Sequence, residues 1–123
     1  MANPIPTSVP AQESEAPVHA SQFMELLRQL ADTDPRERER GADRATDWIS
    51  SYAPSEATVL ATILSVSAAC EQNEVALEAQ LHAIIELTSS GHVQVQHLAH
   101  LNEIDCSQLP VELREYIGDL LEG

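Results

Sequence analysis

The stretch Ser55-Glu-Ala-Thr-Val-Leu-Ala-Thr-Ile-Leu-Ser-Val-Ser-Ala-Ala-Cys70, resuming after a short polar step as Asn73-Glu-Val-Ala-Leu-Glu-Ala-Gln-Leu-His-Ala-Ile-Ile-Glu-Leu87, decides the fold class. Both runs lack internal Gly and Pro, and their apolar residues recur every three or four positions, the period of a helix rather than a strand. In the first run Val59, Ile63, Val66 and Cys70 form the main apolar column, widened by Leu60 and Leu64. The rest of its surface, Ala61, Thr62, Ser65, Ala68 and Ala69, carries no charge, which predicts a central helix covered on more than one side. The uncharged stretch Ala57–Cys70 is 14 residues long, short of the ~18 that a bilayer span needs. In the second run Asn73 is the predicted cap, the helix ends near Ser90, and Gly91 is suited to the left-handed C′ conformation. Its polar stripe is Glu78, His82, Glu86 and Ser89.

Outward from this hub the chain continues as helices. On the N-terminal side, Asp34-Pro35 places a capping residue before a proline at the first helical position, where a missing N–H costs nothing. Gly41, Ala42, Ala45, Trp48, Ile49 and Tyr52 share one arc of that helix, with charged residues on the other, until Ala53-Pro54 breaks it and Ser55 can cap the next. Ser21 caps an earlier helix with Phe23, Leu26, Leu27 and Leu30 at helical spacing. On the C-terminal side Val93, Val95, Leu98 and Leu101 fit a short helix, 102–108 reads as a loop, and Leu109-Pro110 opens a last helix expected to turn Val111, Leu113, Tyr116, Ile117, Leu120 and Leu121 inward. Residues 1–20, with Pro4, Pro6, Pro10 and Pro17 and almost nothing large and apolar, are predicted to be a disordered Pro-rich tail. Residues 21–123 are predicted to be a single all-α domain of five to six helices.

The chain has 123 residues, six arginines, no lysine and 20 acids, for a formal net charge of -14. Nucleic-acid affinity rests on Lys and Arg displacing counterions from phosphate, so this balance argues against direct DNA or RNA binding. It favours a basic protein partner, which the negative field would steer into encounter. The field is concentrated in residues 71–123, where ten acids meet one arginine. Residues 1–20 carry no Lys, no Arg and no apolar run, so no secretory signal is expected and the reading is a soluble cytoplasmic protein. Cys70 and Cys106 lack metal or redox spacing and are expected to be buried thiols.

Glu78, His82 and Glu86 at i, i+4, i+8 could present ligands or an acid–base pair, and His97, His100 and Glu103 repeat the pattern. The competing reading, a solvated stripe, is preferred because no second Cys or His pair stands at a suitable spacing. No Ser stands between glycines and the four glycines form no phosphate-cradling loop, so neither an enzyme nor a metal or cofactor site is expected. The run Arg36-Glu-Arg-Glu-Arg40, extended by Asp43, Arg44 and Asp47, is read as a helix face laced by pairs such as Arg36–Glu39 and Arg40–Asp43.

Asp34-Pro-Arg-Glu-Arg-Glu-Arg-Gly-Ala-Asp-Arg-Ala45 and Asn73-Glu-Val-Ala-Leu-Glu-Ala-Gln-Leu-His-Ala-Ile84 share a layout, a cap in an acidic turn followed by small residues at helical spacing, at an offset of 39. The layout resembles the first helix of HEAT or armadillo-type repeats, whose length is ~40 residues. The Val-Arg step usual in HEAT repeats is Val75-Ala76 here. The resemblance implies a HEAT-like stack of antiparallel hairpins, the second helix pairing with the third and the fourth with the fifth, with caps at either end. A compact acidic helical protein of this kind also resembles immunity proteins of bacterial polymorphic toxin systems. That implies neutralisation of a cognate basic toxin by acidic side chains occluding its active site. The alternative is a helical-repeat scaffold or regulatory adaptor, which would bind several partners or assemble with itself through the smooth Ala/Ser face of the central helix.

The residues expected to meet a partner are a ridge of four carboxylates without an intervening arginine, Glu71, Glu74, Glu78 and Glu86, with Asp43 and Asp47 at its margin. Trp48 or Tyr52 is the candidate aromatic anchor wherever it is exposed, against the reading that both are core. The acidic last helix, with Glu112, Glu115 and Asp119, is the next candidate surface.

Overall fold

A computed structural model of the chain describes residues 18–122; the expected tail lies outside them except for its last three positions. The described residues form five α-helices and no strand: α1 (Ala20–Leu30), α2 (Pro35–Asp47), α3 (Pro54–Cys70), α4 (Glu74–Thr88) and α5 (Val111–Glu122). Short 3-10 segments occupy Ile49–Ser51, Val95–Glu103 and Cys106–Gln108. The fold is all-α.

Local chemistry sets most of the boundaries. The Asp34 carboxylate accepts from the Arg36 N–H at 2.9 Å ahead of Pro35, and Asn73 Oδ1 accepts from the Ala76 N–H at 3.0 Å. Gly91 takes φ +86° three residues past the end of α4. Two caps differ from expectation. Helix α1 starts at Ala20 with His19 in the capping position, and α3 starts at Pro54 with Ser55 already inside its first turn. There Ala53 in the capping position supplies no side-chain acceptor, and Glu56 reaches back to accept from the Ala53 N–H at 2.8 Å. The weak pattern after Gly91 resolves as the 3-10 segment Val95–Glu103, two short turns joined by a kink at Leu98 (φ -111°), which buries Leu98 and Leu101.

Three consecutive hairpins build the domain. Helices α1 and α2 pack together across the link 31–34, α3 and α4 across 71–73, and the Val95–Glu103 segment packs on α5 across 104–110. The hairpins stack in two layers, one holding α1, α3 and Val95–Glu103, the other α2, α4 and α5, with α2 against α4 the most extensive contact. The expected pairing of α2 with α3, and of α4 with the element after it, is therefore displaced by one helix. The Asp34 and Asn73 caps do mark a repeat, but they head the second helix of each hairpin. Link length carries the reason: the connections within the first two hairpins are shorter than those between hairpins, 48–53 and 89–94, and short links make neighbours of antiparallel helices.

The core is aliphatic. Leu26, Leu30, Leu60, Leu64, Leu81, Ile84, Leu87, Leu98 and Leu101 are fully buried, and Ala42, Ala45, Ala57, Ala61, Ala68 and Ala83 let the helices approach. The phase predicted for α3 is rotated, with Ile63 of the expected column half-buried against the core. Leu60 and Leu64 face the core with the alanines, whereas Val59 is 42% and Val66 41% exposed and Cys70 is an exposed free thiol. Cys106 is half-buried.

Gly41 is where α1 meets α2. A Cβ there would stand 3.1 Å from Leu30 Cδ2, 3.2 Å from Gln29 Cγ and 3.3 Å from the Leu30 nitrogen. Gly41→Ala is accordingly expected to lower stability by about 1–2 kcal/mol despite the ~1 kcal/mol of helix propensity that alanine gains, because overpacking outweighs it. Urea unfolding measures the difference, and a more stable variant would show that α1 gives way without loss.

Candidate functional site

The eight residues expected to meet a partner fall into different environments. Glu71, first on the proposed ridge, is withdrawn from solvent: its side chain is 1% exposed. Arg38 binds it through two bonds of 2.7 Å, Nε to Oε1 and Nη2 to Oε2, while Gln80 Nε2 and the Asn73 N–H donate to it at 2.8 and 3.1 Å. Arg38 Nη1 also donates to the carbonyls of Asp32 and Thr33 at 2.8 and 3.1 Å. One guanidinium thus ties the α1–α2 link to the α3–α4 link. Burial alone would raise the Glu71 carboxyl, but the donors of Arg38, Asn73 and Gln80 outweigh it and hold the group below its ordinary range. Glu71 is a structural residue with an arginine across from it, which corrects both its place on the ridge and the claim that no arginine intervenes.

Tyr52 is also structural. It is 8% exposed, its hydroxyl donates to the Ala45 carbonyl at 2.9 Å, and its ring meets Phe23 edge-on at 6.2 Å between centroids. Trp48 is half-buried, with the Arg44 guanidinium 5.7 Å from its ring centroid. Glu74 and Asp47 are exposed, and Glu86 is half-exposed with its Oε2 3.9 Å from His82 Nε2.

Two of the expected residues do come together. Asp43 of α2 and Glu78 of α4 face one another across an open groove of about 240 Å³ in the α2–α4–α5 layer. Glu39 joins them on the rim with His82, and Val75, Ala79 and Tyr116 supply an apolar floor on which Val75 is 56% exposed. Glu39, Val75 and Tyr116 were not anticipated as site residues. A signal for one of them existed: the repeat offset of 39 sets Glu39 beside Glu78 and Asp43 beside His82, as equivalent positions on adjacent helices.

The arginines of α2 are drawn off elsewhere. Arg38 holds Glu71, Arg40 pairs with Glu37 and Arg44 lies over Trp48, while Arg36 is exposed and makes no ion pair among the described residues, so neither the expected Arg36–Glu39 nor the expected Arg40–Asp43 pair forms. Among the described residues no ion pair engages Glu39, Asp43 or Glu78. The result is an uncompensated negative rim around a small apolar floor.

The histidine patterns do not converge. His97 Nδ1 accepts from the Gln94 N–H at 2.9 Å, His100 Nδ1 lies 2.7 Å from Glu103 Oε2, and among the described residues no three His, Cys, Asp or Glu side chains gather as a metal would require. On α5, Asp119 lines a separate cleft of about 410 Å³ with Thr88, Ser89 and Gln94. No described helix is long and apolar enough to cross a membrane. Comparison of the chain with family models, with curated proteins and with solved structures finds no match.

Proposed function

We propose that the chain is an acidic protein-binding module acting in the cytoplasm, and that its partner is a basic toxin domain whose active site it occludes. The observation that supports this most is the groove of Glu39, Asp43 and Glu78, three carboxylates with no ion pair of their own around Val75, Ala79 and Tyr116. A basic side chain entering the groove meets carboxylates already stripped of competing arginines, and its aliphatic stem meets the floor. The net charge of -14 adds long-range steering. A toxin that works on nucleic acid presents a basic cleft of the matching sign. Binding, rather than chemistry, is the task such a rim suits.

The test is binding to a panel of small basic toxin domains, measured as association and dissociation rates over a range of salt. The chain is expected to bind one of them tightly and to lose association rate steeply as salt rises, since rim charges act through a screening length of ~8 Å at physiological ionic strength. The triple substitution Glu39→Lys, Asp43→Lys, Glu78→Lys is expected to keep the helical circular dichroism and weaken binding at least tenfold, or ~1.4 kcal/mol. Matched reversal of Glu112, Glu115 and Asp119 on α5 controls for net charge. Unchanged affinity in the groove variant, or an equal loss in the control, would remove the groove as the docking surface.

A further inference from the structure

The chain holds its own arginines in two ways, and the acidic groove has the chemistry of both. Arg38 is gripped by its edge, Nε and Nη2 each donating at 2.7 Å to one of the two Glu71 carboxylate oxygens. Arg44 is held by its face, the guanidinium 5.7 Å from the centroid of the Trp48 ring. In the groove Glu39 and Asp43 stand one turn apart on α2, Glu78 faces them from α4, and Tyr116 of α5 contributes a half-buried ring to the floor. Glu39 is itself half-buried, and among the described residues none of the three carboxylates has an ion-pair partner. Carboxylate and ring, which the chain uses separately on Arg38 and Arg44, are here brought together around an open space.

The space is about 240 Å³, below the ~300–1,000 Å³ of small-molecule sites, and suits one long side chain rather than a whole ligand. Two basic side chains compete for it on chemical grounds. A lysine ammonium is a compact, strongly hydrated point charge with three donors, which one or two carboxylates satisfy, and it gains little from leaving water. A guanidinium is planar and more weakly hydrated, with five donors directed outward in its plane and both faces free to lie on a ring. Acceptors on two helices and a ring on a third match a group that uses edge and face at once. We propose that the groove is an arginine pocket: one arginine of the partner lays its stem on Val75 and Ala79, turns its guanidinium edge to the carboxylates of α2 and α4, and rests its face on Tyr116. The inference rests on the groove being the docking site of a basic partner, as proposed above, and adds which residue of that partner it selects.

Such a pocket supplies what the overall field does not. The net charge of -14 attracts any basic surface, whether rich in lysine or in arginine, and so raises encounter rates without choosing among partners. A desolvated arginine anchor inside a groove is the kind of contact in which interfaces concentrate their energy, and it acts on the dissociation rate. Lysine-rich surfaces are steered to the chain and leave again, whereas a surface that projects an arginine is retained.

The pocket is tested without any toxin, by NMR titration of the chain at low salt with two blocked tripeptides, acetyl-Gly-Arg-Gly-amide and acetyl-Gly-Lys-Gly-amide. The arginine peptide is expected to shift the backbone amides of Glu39, Asp43, Val75, Glu78, Ala79 and Tyr116 and to bind at least about threefold more tightly than the lysine peptide. Tyr116→Leu is expected to bring the two peptides to equal affinity, and Tyr116→Phe, which keeps the ring, to retain the preference. Glu78→Gln, on an exposed helix position, is expected to weaken the arginine peptide at least about threefold with unchanged helical circular dichroism. Equal affinity of the parent for the two peptides would overturn the arginine pocket, and so would shifts spread as strongly over Glu112 and Glu115 as over the groove, the mark of charge attraction alone. Either result would leave the basic-partner reading standing if a toxin domain still lost affinity in the groove variant. An arginine preference that survives in Tyr116→Leu would remove the ring from the pocket and overturn the proposed pose. Arginine selectivity that depends on Tyr116, found while no toxin domain binds, would support the pocket and remove the toxin as its partner.

Discussion

Glu71→Ala is expected to destabilise the domain by about 3 kcal/mol, because removing one member of a buried ion pair strands the other, a loss put at ~3–5 kcal/mol for fully buried pairs. The lower end applies since the Arg38 side chain keeps 22% of its surface in solvent. Three groups lose a partner at once, Arg38, Gln80 and the Asn73 N–H, and the tie between the first two hairpin links goes with them. For a domain of this size that corresponds to a fall in Tm of more than about 10 °C. The pair also makes stability depend on pH in a known direction. The folded carboxyl lies below its ordinary value of 4.5, so its contribution is fully present above that value and disappears as pH falls through the lower folded one. Urea unfolding of the parent should weaken on acidification below that range, and Glu71→Gln should show a shallower slope there. A variant with the parent's slope would mean that the Glu71–Arg38 pair contributes nothing to acid sensitivity.

Leu64→Ala should cost about 3 kcal/mol, within the 2–5 kcal/mol typical of leucine truncation in a packed interior, since Leu64 is fully buried in the hydrophobic core. Val66→Ala, two residues on and 41% exposed, should stay within about 0.5 kcal/mol in the same urea unfolding measurement. The contrast is sharp because the hydrophobic pattern predicts the reverse: Val59, Ile63, Val66 and Cys70 read as the principal column, with Leu60 and Leu64 secondary. Equal destabilisation by the two substitutions would mean that both sides of α3 are packed in the monomer.

The α3 error has a physical source. Apolar and small residues surround this helix, so its sequence has a helical period but no direction, and burial is chosen by whatever packs against it. Helix α2 is the opposite case. Its charged face and its predicted apolar arc lie apart, and of that arc Gly41, Ala42, Ala45 and Tyr52 are buried, while Trp48 and Ile49, past the end of α2 at Asp47, are half-buried. Glu71 was misplaced for a related reason: a carboxylate in an acidic turn reads as solvated unless one knows that Arg38, 33 residues earlier, approaches it. The groove was half legible, with Asp43 and Glu78 named and Glu39, Val75 and Tyr116 missed. The offset of 39 pointed to Glu39, whereas Tyr116 comes from a hairpin whose first element is 3-10 and carries no recognisable repeat signature.

By itself the sequence determined the fold class, the caps at Asp34 and Asn73, the left-handed turn at Gly91 and the acidic character of the surface. Each of these depends on interactions within a few residues, or on a sum over composition. Tertiary structure decided which helices pair, which side of α3 faces inward, and which arginine meets which carboxylate. Those outcomes compare the packing of different helices, where close-range propensity is indifferent and the preference arises only when side chains such as Leu64, Leu81 and Ile84 share one core. The groove rim belongs to the same class: its carboxylates are visible in the chain, but only the folded stack shows that Arg38, Arg40 and Arg44 turn to other groups and that, among the described residues, no ion pair engages Glu39, Asp43 or Glu78.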